Sequence, residues 1–280
     1  MRAVDAHHHV WDLSVRDQDW IKGLELQPLR RNFHLADLEP EARAVGVDRT
    51  VLVQTVTVPE ETPEFLTLAA EHDLIAGVVG WTDLTRPDIA DELSRLRELP
   101  GGAFLKGIRH QVQGEPDPQW LLRPEVRRGL AAVARAGLVY DLVVLPHQLP
   151  ACAEAAARLP QLTFALDHLG KPPIASGDRE PWASALRALA ALPNTVAKLS
   201  GLVTEADPAS WTTADLRPYT DTALEAFGPD RLMFGSDWPV CTTAATYTEV
   251  HTAMSELTAD LGDAERRALF EGTATAVYGL

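Results

Sequence analysis

Three histidines stand in a row at His7, His8 and His9, within "VDAHHHVWD" (4–12). Imidazole carries protons near neutral pH and ligates divalent metals. The use of this triplet therefore depends on what other groups the fold brings to it. His7 and His9 are two residues apart, and in a strand that spacing puts both on one face and His8 on the other. His8 is expected to point into the wall. Further along, Gln54, Arg109 and His110 ("LKGIRH"), His147 ("VVLPHQL"), Asp167 and His168 ("FALDHLGKPP"), Lys198 and Ser200 ("VAKLSGL") and Asp237 ("FGSDWPV") end or follow apolar stretches. Two imidazoles at i, i+2, a third imidazole and a carboxylate are enough ligands for one Zn²⁺. The same groups suit metal-free chemistry in which a carboxylate takes a proton from water. A guanidinium adds a planar fork of donors for a carboxylate or vicinal hydroxyls.

Those residues need elements to bring them together. Eight apolar, β-branched stretches are predicted as strands: 3–9, 50–56, 74–81, 104–110, 138–144, 162–168, 195–202 and 231–237. Their starts lie roughly 25 to 45 residues apart, the size of a strand plus a crossover helix. "LIAGVVG" and "LVYDLVV" are apolar on both faces, as parallel strands covered by helices must be. Between the strands, 86–99 places Ile89, Leu93, Leu96 and Leu99 at helical spacing, and 124–137 opens on Pro124 and ends on Gly137. Two more helices are expected near 246–261 and 263–277. Eight such units in one chain predict a (β/α)₈ TIM barrel, read as a single domain over 1–280. The competing doubly wound sheet lacks a glycine-rich phosphate loop after its first strand.

In a barrel, chemistry gathers at the C-terminal strand ends. Six of the nine histidines (7, 8, 9, 110, 147 and 168) fall at or just beyond predicted strand ends, whereas His34, His72 and His251 are expected in solvent. Asp5 and Asp167 read as strand-end hydrogen-bond partners, and Lys198 as either a substrate-binding group or a core ion pair. Trp11, Trp81 and Trp238 are expected to pack the barrel mouth. The stretch "VQGEPDPQW" (112–120) reads as a lid or an ordinary loop. In the pleat Lys106 opposes Arg109, so no carbamylated lysine bridging two metals is expected.

A net charge of -15 argues against nucleic acid and an anionic membrane surface as partners. No apolar run approaches the ~18 residues of a membrane span. The first strand begins almost at Met1, which leaves no room for a signal peptide. Two cysteines show no metal or redox spacing. A cytoplasmic protein acting on a small molecule is expected, and self-association into a homo-oligomer is left open.

Taken together, "DAHHHVWD", "GIRH", "DHLGKPP", "KLSGL", "GSDWPV" and the ending "LFEGTATAVYGL" resemble the amidohydrolase superfamily. More narrowly they resemble its amidohydrolase-related branch of sugar-lactone and 2-pyrone-4,6-dicarboxylate lactonases, in order along the whole chain. The resemblance implies a barrel with His7 and His9 on the first strand, His168 on the sixth and Asp237 on the eighth. It implies a hydrolase that opens a sugar-derived lactone such as an L-fucono-, L-rhamnono- or L-galactonolactone, with Asp237 as general base. His7, His9 and His168 then polarise the carbonyl or, with Asp237, hold one divalent metal such as zinc. Members of this branch also work without metal, and both alternatives stay open. Arg109, with His110 beside it, is implied as substrate-binding; Lys198, Gln54 and His147 are further candidates for that role. One departure is Thr273 before Ala274, where the family often has asparagine. Two other functions compete: a metal-dependent decarboxylase of an aromatic or unsaturated acid, and a non-catalytic sugar- or metal-binding barrel.

Overall fold

A computed structural model describes residues 3–280. Eight parallel strands run in sequence order: β1 (Ala3–His8), β2 (Val47–Val53), β3 (Ile75–Gly80), β4 (Leu105–His110), β5 (Val139–Leu142), β6 (Phe164–Leu166), β7 (Thr195–Leu199) and β8 (Leu232–Phe234). The ends of the sheet meet where His8 bridges Trp238, with the Asp237 N–H donating to His7 O (2.8 Å) and the His9 N–H to Trp238 O (2.7 Å). The protein is a (β/α)₈ TIM barrel. β2 begins three residues before the expected Thr50, because the half-buried polar pair Asp48 and Arg49 disguises its start. β6 and β8 are only three residues long, since the chain leaves the ladder as soon as it reaches site residues.

An outer ring of helices covers the strands: α1 (Leu35–Ala44), α2 (Glu61–Glu71), α3 (Ile89–Glu98), α4 (Pro124–Arg135), α5 (Leu149–Arg158), α6 (Trp182–Ala190), the short α7 (Leu202–Glu205), α8 (Thr213–Phe227) and α9 (Tyr247–Leu257). α3 buries Ile89, Leu93 and Leu96, the stripe its sequence spacing predicts. Each such side chain contributes about 1.5–3 kcal/mol relative to exposure. The last expected helix is interrupted. α10 (Asp263–Arg267) passes through a π-helical turn, Ala268–Gly272, into α11 (Thr273–Tyr278). The wider turn lets the adjacent Leu269 and Phe270 both be buried.

Inside the barrel, Val4 and Ala6 pack with Val51, Val53, Val139, Ala165, Val196 and Met233, and Tyr278 of α11 joins them from the closed end. Strict alternation from Val4 and Ala6 would next turn His8 inward. It does not, because β1 has two residues, Ala6 and His7, between Asp5 and His8 where β2 has only Val51 between Thr50 and Leu52. This β-bulge inserts one residue and re-aims His7 and His9 into the barrel. His8 goes to the wall, where its Nε2 meets Thr50 Oγ1 at 2.9 Å. Among the described residues no helix is long and apolar enough to cross a membrane.

Candidate active site

Three imidazole nitrogens converge on one carboxylate oxygen at the open end of the barrel. Asp237 Oδ1 lies 3.8 Å from His7 Nε2, 3.6 Å from His9 Nε2 and 3.8 Å from His168 Nε2. The other ring nitrogens are held from behind. His9 Nδ1 lies 2.8 Å from Val53 O, His168 Nδ1 2.9 Å from Ser200 Oγ, and His7 Nδ1 3.2 Å from Asp167 Oδ1. A carbonyl oxygen only accepts, so His9 Nδ1 carries a proton and donates it to Val53 O, which turns Nε2 to the site. Burial pushes the His168 pKa down to about 4 and holds that of His7 well below its ordinary value, so both rings are neutral at pH 7. Burial alone would raise the Asp237 carboxyl. His168, His9 and His7 outweigh it and keep that group below the usual carboxylate range.

Beneath the histidines lies a second polar layer, all of it enclosed. Lys198 pairs with Asp141 and stands 3.0 Å from Asp167 Oδ1; all three side chains are fully buried. Tyr278 donates to Asp141 from below, at 2.9 Å. Asp167 also faces Arg109, whose Nη1 donates to Oδ2 at 3.0 Å. Burial would raise the Asp167 carboxyl, but Lys198, His7 and Arg109 together hold it well below the usual range. Burial pushes Asp141 up to about 6 against the pull of Lys198. Asp5, expected as a strand-end partner, joins β1 to the β8 exit: its carboxylate accepts from the N–H groups of His7 (3.0 Å) and Ser236 (2.8 Å) and from Tyr247 Oη.

The backbone around the site is strained. His168, Leu169 and Lys171, with Gly170 between them, all have φ near +50 to +70°, and Asp237 has φ 57°. Left-handed conformations cost a non-glycine residue of order 1 kcal/mol or more and cluster where function aims a side chain. Here the turn carries His168 and Lys171 into one cavity. Two glycines clear the space. A Cβ on Gly201 would stand 2.6 Å from His168 Nδ1, and one on Gly235 2.8 Å from His7 Cβ.

The cavity holds about 360 Å³ and is lined by His9, His168, Asp237 and Arg109 at its inner end. Of the remaining residues singled out in the sequence, Gln54 is fully buried and holds Arg109. Its Oε1 accepts from Nε at 2.9 Å, and its backbone O accepts from Nη2. Three others do not face the cavity. Lys198 takes the core ion pair left open by the sequence, because its inward position lies one layer deeper than the histidines. His110 follows Arg109 in the pleat and so turns to the opposite side. There it accepts from Trp81 Nε1 (3.0 Å), contacts Glu115 (2.8 Å) and stacks on Trp120 with ring centroids 4.3 Å apart. Within the segment 112–120, Val112 and Trp120 are buried, whereas Gly114, Pro116, Pro118 and Gln119 are exposed. His147 is exposed, since Pro146 begins a 3₁₀ turn that carries it outward beyond β5. His251, expected in solvent, instead packs edge-on against Phe234.

Sequence reasoning passed over Asp141, although a lone carboxylate in the apolar run "LVYDLVV" has to find a cation. It also passed over Lys171, which stands inside "DHLGKPP". Glu25, Thr55, Gln111 and Gln113 on the cavity wall come from loops and a short 3₁₀ turn, and Glu205 from the end of the four-residue α7; none carries a sequence signal.

The donor set fits a divalent cation. His7 and His9 face each other Nε2 to Nε2 at 3.1 Å, and two lone pairs that close call for a proton or a cation near them. Around a tetrahedral zinc with ligands at about 2.0–2.1 Å, ligand atoms stand about 3.3 Å apart. His7, His168 and Asp237 offer ligand atoms within 4.8 Å of one another, and His9 Nε2 stands 3.1 Å from His7 Nε2 and 3.6 Å from Asp237 Oδ1.

The chain matches the family model described as Amidohydrolase over residues 4–280. It is 41% identical to the L-fucono-1,5-lactonase of Burkholderia multivorans, over 99% of this chain and 96% of that one. It is 37% identical to the L-fucono-1,5-lactonase of Burkholderia ambifaria, over 98% and 94%. A crystal structure of an amidohydrolase from Burkholderia multivorans with bound zinc superposes with a TM-score of 0.92 at 40% identity, covering all of both chains.

Proposed function

The chain belongs to the amidohydrolase family, and from that premise we propose that it is a lactonase. In this reading residues 1–280 form one catalytic unit that opens a sugar-derived lactone by water attack on the ester carbonyl, with L-fucono-1,5-lactone the first candidate. The observation that carries it is the convergence of three imidazole Nε2 atoms on Asp237 Oδ1 at the inner end of a cavity of small-molecule size. The L-fucono-1,5-lactonases that match along nearly their whole length supply the substrate class.

Asp237, ionised beside neutral His7 and His168, takes a proton from water as the water oxygen bonds to the carbonyl carbon. Collapse of the tetrahedral intermediate breaks the ring C–O bond, and Asp237 returns the proton to the departing alkoxide. Arg109 is clamped by Gln54 and Asp167, so its unused N–H edge is oriented before the substrate arrives. It donates to the oxygen on which negative charge develops. Gln111, Gln113 and Thr55 offer amides and a hydroxyl to ring hydroxyls. A divalent metal, held by His7, His9, His168 and Asp237, would supply Lewis-acid polarisation and a bound water of lowered pKa.

A panel of aldonolactones in a weakly buffered pH-indicator assay, run with and without chelator, tests the reading. Acid release well above the spontaneous rate is expected on at least one lactone. Folded protein that leaves every lactone at the spontaneous rate, or that releases CO₂ from an aromatic or unsaturated acid instead, would overturn it. The chelator arm assigns the electrophile: turnover that survives leaves it to Arg109 and the imidazoles, and turnover restored by added zinc gives it to the metal.

A further inference from the structure

We propose that the Lys171–Glu205 ion pair is a charge filter, with Glu205 the residue that selects uncharged lactones over lactones bearing a carboxylate. The inference rests on the lactonase reading and concerns which lactones that site accepts. Lys171 is the last residue of the left-handed turn that begins at His168, and Glu205 is the last residue of α7. Both side chains line the cavity and are about one quarter exposed, with Nζ 3.3 Å from Oε1.

A carboxylate entering the cavity gives up water and needs a cation in exchange. The cations on the wall are Arg109 and Lys171. The charge of Arg109 is matched by Asp167 and two of its other donors are held by Gln54, and the N–H edge that is left serves the lactone carbonyl oxygen rather than a ring substituent. Lys171 is committed to Glu205. Glu25 adds a further carboxylate to the same wall and has no ion-pair partner among the described residues. An anionic ring substituent would therefore have to displace Glu205 from Lys171, with Glu25 repelling it. A neutral polyhydroxylated lactone meets no such barrier, because the amides of Gln111 and Gln113 can pair with its hydroxyls. Such a device works by rejecting the wrong ligand rather than by holding the right one. The product of the reaction is itself a carboxylate, so the same pair favours its departure.

Glu205→Gln frees Lys171. The test compares kcat/KM for the monolactone of an aldaric acid, which carries a carboxylate, with that for the matching aldonolactone, which does not. In E205Q the ratio is expected to rise by about fivefold, the worth of one partly exposed charge contact, and inhibition by the aldonate product to tighten similarly. Lys171→Met in the wild-type background should do the reverse and weaken aldonate inhibition, which keeps the proposal testable if E205Q folds poorly. In K171M/E205Q the gain should vanish, because the freed cation is gone; mere loosening of the cavity would leave it in place. An unchanged ratio in an E205Q enzyme that still opens the neutral lactone would overturn the filter, as would a gain that persists in the double variant. Wild-type protein that opens no neutral lactone would instead overturn the lactonase reading itself.

Discussion

Asp237→Asn is expected to lower kcat by about 10³-fold while leaving the fold and ligand binding in place. Loss of a positioned general base costs about 10²–10⁴-fold. No other carboxylate stands among the imidazole Nε2 atoms, and the second carboxylate layer lies beneath the histidines, out of reach of the cavity. Asparagine is a clean replacement because it keeps the side-chain shape. It also tolerates the left-handed φ of 57° at this position, where most residues would strain the turn after β8. Steady-state kinetics with a circular-dichroism melt and calorimetric binding of the aldonate separate the effects. A kcat within about tenfold of wild type would remove Asp237 from the base role.

Lys198→Met is expected to be the most damaging single change to stability, at about 3–5 kcal/mol, because it leaves two buried carboxylates without their shared cation. That is about a fifth or more of the total stability of an ordinary domain. Asp141 and Asp167 are both fully enclosed, and Tyr278 alone cannot compensate the first of them. The loss reaches the site as well. Asp167 stands behind both His7 and Arg109, so its displacement misplaces the groups above it. Urea unfolding measures the first effect. The double change K198M/D141N, which removes one carboxylate's charge together with the cation, should recover part of the loss. A midpoint shift worth less than about 1 kcal/mol in K198M would show that the layer carries no such weight.

Much of the active end of this barrel was legible in the chain, for a physical reason. Parallel strands buried on both faces read as apolar runs, so polar residues at their ends stand out as exceptions. His7, His9, Arg109, His168 and Asp237 were found that way, and the structure brings all five together. The bulge in β1 was not legible, since nothing in "VDAHHHVWD" distinguishes an inserted residue from strict alternation. His7 and His9 nevertheless face inward together, because the bulge is confined to the Asp5–His8 step and leaves His8 on the wall side. His147 is expected near a strand end, but it stands five positions beyond Leu142, and a proline-initiated turn overrides the pleat. Lys198 and Arg109 look alike in sequence as inward cations; only depth along the barrel axis separates a core ion pair from a cavity donor. Lys171 and Glu205 meet through a left-handed turn and a short helix, neither of which has a periodic signature.

Ring opening of L-fucono-1,5-lactone followed by ¹³C NMR, with wild-type protein and the Asp237→Asn variant side by side, is the most direct measurement. The wild type should convert the lactone carbonyl signal to that of the free acid far faster than buffer alone, and the variant should track the buffer. Equal rates for wild type and buffer, with the protein folded, would contradict the lactonase assignment. Equal rates for wild type and variant, both above buffer, would contradict the role given to Asp237.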